Sequence, residues 1–322
     1  MRFTFLGTSA GTPTALRNVT ALAVAIEDMR DWYLFDCGEG TQHRVLKSRY
    51  SSAKLKTVFI THVHGDHCYG LPGLIASANM SGRTAPLTVC APDGIEQYVR
   101  NTFALTDVHT LRFELNFVRS DLPNFHYRDK HIAVDALTLS HRVPCFAYHV
   151  TEVPPYHLDE TKLDAMQVPR GPLWHQLQDG LDVQLENGQS IAADQVRSPA
   201  WPARKVVIGG DNDQPELLRK AMEDADLLIH EATFTEEILA KVGPKYMHST
   251  AAMVAKTAAA SHLRHLILTH FSQRYQNGSA SRKANHVNEL FDEAMQHYQG
   301  NLVLAEDLHS YRLEKDKSLT KL

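Results

Sequence analysis

Five apolar runs in the chain each stop at a residue able to bind a metal or carry a proton. TVFITH ends in His62, ALTLSH in His141, KVVIGGD in Asp211, DLLIHE in His230 and Glu231, and HLILTH in His270. Short apolar runs of this kind, alternating with helical patterns and turn signals, read as buried strands of an α/β chain. In open α/β sheets, sites form outside the carboxyl ends of the strands. Random placement would scatter His, Asp and Glu over both strand ends. Their collection at one end restricts the chain to a fold that brings several strand termini to a single polar edge.

The densest terminus is FITHVHGDHCYGLPG, Phe59 to Gly73. Neutral imidazole is the commonest side-chain metal ligand, and carboxylate is a hard oxygen ligand. His62 and His64 alternate along extended chain, whereas the histidines of an HExxH pair sit one helical turn apart. Gly65 allows a sharp turn that brings Asp66 and His67 round to a second position. Adjacent residues point in different directions, so one loop can feed two metals. With His141, Asp211 and His270 the candidate ligands number seven. A tetrahedral zinc takes four, so the set suits two zincs sharing a carboxylate, with open positions for substrate. A lone histidine is more often a surface or satisfied core residue. His109, His126, His131, His157 and His297 are read that way.

Strands are expected at Phe3–Leu6, Ala21–Ile26, Trp32–Phe35 and Val58–Thr61, and helices at TQHRVLKS after Gly40 and from Leu71–Ser77. Asp213 is expected to cap a helix whose first turn holds Pro215 and Glu216, and Ser249-Thr250 to cap the Ala-rich run Ala251–Ala260. From Val153 to about Arg204 the chain is rich in Pro and Gly, with VPP, VPRGP and SPAWPAR, and VQLENGQSI carries an Asn-Gly hairpin signal. Structureless connections of such length are uncommon. A projecting arm, placed at about 153–175, is therefore expected within one domain spanning 1–322, which ends in a flexible tail at about 314–322.

Of 322 residues, 43% are hydrophobic, which is enough for a sizeable core. No apolar run approaches the length of a membrane span. The N-terminus begins directly with a strand pattern and lacks a signal-peptide core, so a cytoplasmic protein is expected. Cys37, Cys68, Cys90 and Cys145 are scattered without a CxxC pair and read as reduced thiols. The net charge of −4 gives no global support for nucleic-acid binding. A polyanion partner would need a local basic patch or bound metal cations.

HVHGDH matches the HxHxDH motif of the metallo-β-lactamase superfamily, whose fold is an αββα four-layer sandwich with a two-metal edge. More specifically, FLGTSAGTPTALRN, FDCGEGTQHR, GLPGL, VPRGPLWHQLQDG, HEATF, HST and LTHFSQRY together resemble the ribonuclease Z family, including its bacterial relative ribonuclease BN. These are transfer RNA 3′-processing endonucleases. The match runs from about Met1 to Leu308.

The resemblance implies His62, His64 and His141 at one zinc, Asp66, His67 and His270 at the other, and Asp211 bridging. It implies that Asp66 accepts a proton from the attacking water and that Glu231 and His248 protonate the leaving oxygen. It places the arm, at Val153–Trp174 with Gly171-Pro172, against the transfer RNA elbow. The family's GDT reads Gly210-Asp211-Asn212 here, and the arm is weakly basic, with Lys162 and Arg170 among several acids.

The implied activity is zinc-dependent removal of the 3′ trailer from transfer RNA precursors by metal-hydroxide attack, leaving a 3′-hydroxyl. Two Zn²⁺ per chain are expected, with Mn²⁺ or Fe²⁺ as substitutes, and a homodimer. Arg17, Arg44, Arg274 and Lys205 are candidate phosphate contacts. The rivals are a 3′-trimming exoribonuclease, a small-substrate phosphodiesterase or thioester hydrolase on the same fold, and a non-catalytic RNA-binding protein. A small substrate needs no projecting arm, and a binding protein needs no acid–base pair.

Overall fold

The strand Trp32–Phe35 shows how the layers arise. Side chains alternate across a strand. Trp32 and Leu34 join one apolar cluster, whereas Tyr33 and Phe35 join another on the opposite face. Both faces are buried, so the run is apolar throughout. The computed structural model, which describes residues 1–27, 29–276 and 285–322, repeats this logic in two sheets of eight and seven strands.

The first sheet is built around Arg2–Gly7, Ala21–Ala25, Trp32–Phe35, Leu55–Phe59 and Leu87–Ala91. The second contains Ile132–Leu139, Cys145–Glu152, Lys205–Ile208, Leu227–Glu231, His265–Thr269 and Asn301–Leu304. Phe3, Phe5, Phe35, Phe59, Tyr148 and Ile267 fill the space between the sheets. Helices Leu71–Met80 and Ile95–Leu105 cover the outer face of the first sheet. Ala251–Ala260 and Asn288–Met295 cover that of the second. The result is the expected four-layer αββα sandwich.

Several sequence expectations shift in detail. The strand placed at Val58–Thr61 spans Leu55–Phe59, and Ile60 to His64 form the loop beyond it. Thr250 caps its helix as expected, accepting from the Met253 N–H. Asp213 caps nothing. The turn begins after Gln214, whose N–H is taken by Asn212 Oδ1 instead. The tail at about 314–322 is not loose: Leu319–Lys321 pairs with Ser310–Leu313, because Leu319 packs against the core between the sheets. Among the described residues no helix is long and apolar enough to cross a membrane. All four cysteines are free and buried.

The insertion is a folded unit rather than a short arm at 153–175. Tyr156–Leu158 pairs with Arg197–Pro199, and Leu163, Leu177, Val183, Ile191 and Val196 form a small core of their own. Asn187-Gly188 does turn a hairpin between Val183–Gln184 and Ser190–Ile191, with Gly188 at φ 88°. The roots of the unit are clamped by a buried ion pair. Arg204 Nε donates to Glu152 Oε2 at 2.7 Å, and its Nη2 donates to Glu27 Oε2 at 2.8 Å.

Candidate metal centre

All five apolar strands deliver their carboxyl ends to one edge, where the two sheets meet. His62 and His64 lie on the loop after Leu55–Phe59, and Asp66 and His67 on the turn of helix that follows. His141 follows Ile132–Leu139, Asp211 follows Lys205–Ile208, and His270 follows His265–Thr269. His270 adopts φ 58°, an uncommon backbone state that turns its ring back towards the edge.

The seven side chains gather into two sets joined by one carboxylate. In the first, His64 Nδ1 lies 3.0 Å from His62 Nε2 and 3.2 Å from His141 Nε2. Asp211 Oδ2 lies 3.6 Å from both Nε2 atoms. In the second, His67 Nε2 lies 3.2 Å from His270 Nε2, and Asp66 Oδ2 is 3.5 and 3.4 Å from these two atoms. Asp211 Oδ1 lies 3.3 Å from each of them. Asp211 thus turns one oxygen to each set.

These separations can be tested against metal geometry. Bonds of about 2.0–2.1 Å in a tetrahedron put ligand atoms roughly 3.3 Å apart. The observed spacings of 3.0 to 3.6 Å fit that edge length. The donor set, imidazole nitrogen with carboxylate oxygen, suits zinc and related divalent ions. The protein therefore carries a divalent-metal site of two connected halves.

The far nitrogens of the rings are also held. His67 Nδ1 lies 2.7 Å from Asp36 Oδ2, His141 Nδ1 2.9 Å from the Met247 carbonyl, and His270 Nδ1 3.0 Å from Thr233 Oγ1. His62 Nδ1 lies 3.0 Å from Thr61 Oγ1, and that hydroxyl donates to Asp36. Such partners fix the ring orientation and tautomer of metal-binding histidines. Burial holds the pKa values of His62, His64 and His141 down, which keeps these imidazoles neutral as ligands must be. Burial also opposes the charge on Asp211, but His270, His67 and His62 outweigh it and hold its carboxyl well below the usual range.

Glu231 and His248 adjoin the set. His248 Nδ1 lies 3.0 Å from Glu231 Oε1 and 3.7 Å from Asp211 Oδ2. His230 does not join them. It alternates with Glu231 along the strand and points away, its Nε2 3.2 Å from Asn212 Nδ2. Asn212 itself is fully buried, and its N–H donates to Glu231 Oε1 at 2.7 Å. Asn212 thus supports Glu231 through its backbone, beside an Asp211 that faces both sets.

Three of the four basic candidates are structural. Arg17 is buried and donates to the Ser272 and Tyr275 carbonyls. Arg44 donates to the Leu6 carbonyl and to Asp307. Lys205 pairs with Asp224 at the strand end remote from Asp211. Arg274 is exposed beyond His270.

A groove of about 390 Å³ leads to the centre, lined by Thr12, His64, Asp66, Tyr69, Arg142 and His248 among others. Arg142 and Tyr69, both exposed, were missed in the sequence. So was Asp36, although it ends a sixth apolar run, WYLFD, and the strand-end rule would have found it.

A sandwich with this edge defines a metallo-β-lactamase-fold protein, and comparison with known proteins agrees. A family model described as the anti-Pycsar protein Apyc1 matches residues 1–105, less than half of the chain. A ribonuclease Z of Marinobacter nauticus is 48% identical over 323 residues, covering 100% of this chain and 99% of the relative. One of Bacillus cereus is 37% identical over 317 residues, covering 98% and 100%. The crystal structure of the short form of human tRNase Z is similar at a TM-score of 0.64 and 26% identity, over 96% of this chain and 98% of that one. A metallo-β-lactamase-fold protein from Bacillus subtilis, YhfI, shares the fold at a TM-score of 0.64 and 17% identity, over 96% and 98%. The chain belongs to the ribonuclease Z family of endoribonucleases.

Proposed function

We propose that this chain removes the 3′ trailer from transfer RNA precursors by hydrolysis, with two zinc ions per chain held by His62, His64, His141, Asp66, His67, His270 and a bridging Asp211. The observation that carries the reading is Asp211, whose Oδ2 and Oδ1 face separate nitrogen sets at 3.6 and 3.3 Å. Full-length membership of the ribonuclease Z family supplies the substrate class.

Bound there, two divalent ions would supply an activated water at neutral pH and neutralise charge on the scissile phosphate. The chain's own groups do the rest. Asp66 keeps a carboxylate at the edge, fixed by the Gly11 N–H at 2.7 Å, where it can accept the water's proton. His248 stands beside Asp211, with Nδ1 committed to Glu231, so that Nε2 can give a proton to the leaving 3′ oxygen. Arg142 lines the groove and Arg274 is exposed beyond His270, and both suit phosphate contact. The folded insertion is proposed to hold the RNA away from the cut, with Arg170 and Lys162 on its surface. A cytoplasmic homodimer is part of this reading and rests on the family resemblance.

The test is direct. Purified protein is incubated with a 3′-extended precursor, with and without chelator, and product ends are mapped over time. A single early cut leaving a 3′-hydroxyl on the transfer RNA, abolished by chelation, is expected. A ladder of shortening products would instead identify a trimming exonuclease. Sedimentation of the same sample checks the dimer.

A further inference from the structure

The edge opposite the metal centre carries a second polar groove. It has a volume of about 1050 Å³ and is lined by Arg2, Arg30, Arg49, Lys54, Arg312 and Lys315. The strand Arg2–Gly7 begins here and runs towards Gly11, which contacts Asp66 at the far edge. A six-residue strand spans roughly 20 Å. The ribonuclease chemistry therefore does not account for this concentration of cations, in a chain whose net charge is −4.

The local arrangement is costly without an anion. Arg2 and Arg312 stand directly opposite each other on paired antiparallel strands. Like charges in that position are destabilising. Burial and the neighbouring Arg49 and Arg312 together lower the pKa of Arg2. Arg312 Nε is buried with no hydrogen-bond partner among the described residues. Of the acids lining the groove, Glu27 is committed to Arg204, and Asp316 accepts from Ser318. With Glu314, 3.7 Å from Arg312, these three acids face six cations among the described lining residues.

We propose that this groove binds a small polyphosphate, either inorganic or as the di- or triphosphate group of a nucleotide. Guanidinium forks match phosphate oxygens bidentately. The cations come from separate parts of the chain: the first strand, the segments that precede Trp32–Phe35 and Leu55–Phe59, and the C-terminal hairpin. They converge on one groove of roughly small-ligand size. A compact anion meets them together, whereas an extended RNA backbone would call for a stripe. Tyr50 is the aromatic ring in the lining, but it is already packed on Trp32 at 4.9 Å. The base of a nucleotide should therefore matter little.

Isothermal titration of the metal-loaded full chain with inorganic triphosphate, ATP and AMP tests this. Triphosphate and ATP should bind alike, and AMP about tenfold more weakly or worse. Arg49→Glu should weaken triphosphate binding by about tenfold or more, and Arg49→Lys should recover most of it. Arg312→Gln provides a second variant, checked for folding by circular dichroism. Hydrolysis of a small phosphodiester should be unchanged in Arg49→Glu, which separates this groove from the metal centre. Equal triphosphate affinity in wild type and Arg49→Glu would overturn the proposal. So would an Arg49→Glu variant that loses affinity for mature transfer RNA while keeping its affinity for triphosphate, since the groove would then be an RNA contact.

Discussion

His248 Nδ1 lies 3.0 Å from Glu231 Oε1, while the same carboxylate oxygen accepts the Asn212 N–H at 2.7 Å. The residue next to Asp211 thus also positions the partner of His248. Burial disfavours an imidazolium here, but Glu231 and Asp211 outweigh it and raise the His248 pKa to about 9. Glu231 is the larger of the two contributions, and it favours the protonated ring that a general acid needs. His248→Ala should keep its metals and slow the chemical step by ~10²–10⁴-fold. Glu231→Gln should act in the same direction, and it should move the alkaline limb of the rate profile to lower pH. The two effects should be far from additive, and a precursor analogue with a better leaving group should recover much of the His248→Ala loss. Single-turnover rates against pH check this. Loss of metal from His248→Ala would make it a ligand instead.

His64 belongs to the half-site with His62 and His141, and its side chain lies on a loop at the sheet edge. Its removal should leave the sheets intact. His64→Ala is expected to lose metal and activity together while the circular dichroism spectrum is unchanged. Elemental analysis of wild type should give two metals per chain. At most one metal in fully active protein would refute the two-metal reading.

Asp36 is buried at φ 59° and accepts from the Thr61 N–H while its Oδ2 lies 2.7 Å from His67 Nδ1. It acts on the metal through His67. Asp36→Asn keeps the shape but loses the charge that raises the basicity of the ring. Metal affinity should fall about 10–100-fold, and excess zinc should restore activity. Competition with a chromophoric chelator measures the affinity. Unchanged affinity would show that Asp36 serves folding alone.

Sequence and structure agree best where one physical rule acts on consecutive residues. The loop from His62 to His67 was legible because alternation and a glycine turn fix directions locally. The joint position of His141, Asp211 and His270 followed from the strand-end rule. His230 shows where that rule runs out. It ends the same strand as Glu231, but alternation sends it to the other face, and only pairing register tells which of the two enters the site. Arg17 and Arg44 failed as phosphate contacts for another reason. Carbonyls and Asp307, remote in sequence, claim their guanidinium groups. The C-terminal residues misled because polar composition hides a strand held by its partner.

Arg204 is fully buried and is shared by Glu152 and Glu27. Arg204→Met would leave the buried Glu152 without its partner, while Glu27 keeps the amino terminus. Removing one partner of a buried pair costs about 3–5 kcal/mol, to be read as a lower urea midpoint. The network also gives a pH dependence. Burial works against the Glu27 charge, but Arg204 and the amino terminus outweigh it and bring the pKa from 4.5 to about 2. A carboxyl with a depressed pKa contributes stability above its unfolded value and loses it as pH falls through the folded one. Stability should therefore decline as pH falls from about 4.5 towards 2, and Glu27→Gln should flatten that decline. An identical acid profile in both proteins would remove Glu27 from the account.

The folded insertion gives the last prediction. Its two ends lie side by side, with the Ala200 N–H donating to the Pro155 carbonyl at 2.8 Å and the Glu152 N–H to the Arg204 carbonyl at 2.9 Å. Its apolar residues pack on one another, as a separate cluster from the cores of the sandwich. A short Gly-Ser bridge can therefore replace 155–200 without opening the main cores, provided that Glu152 and Arg204 are kept. The truncated chain should bind the same number of metals and hydrolyse a small phosphodiester at the wild-type rate, because every proposed ligand lies outside the insertion. Cleavage of a transfer RNA precursor should fall mainly through KM, since contacts remote from the cut contribute binding that the small substrate never used. Raising the salt concentration should weaken the full-length enzyme towards the level of the truncated one if Arg170 and Lys162 meet phosphates. Equal loss on both substrates would mean that the insertion supports the sandwich, and equal retention on both would mean that the RNA is gripped elsewhere.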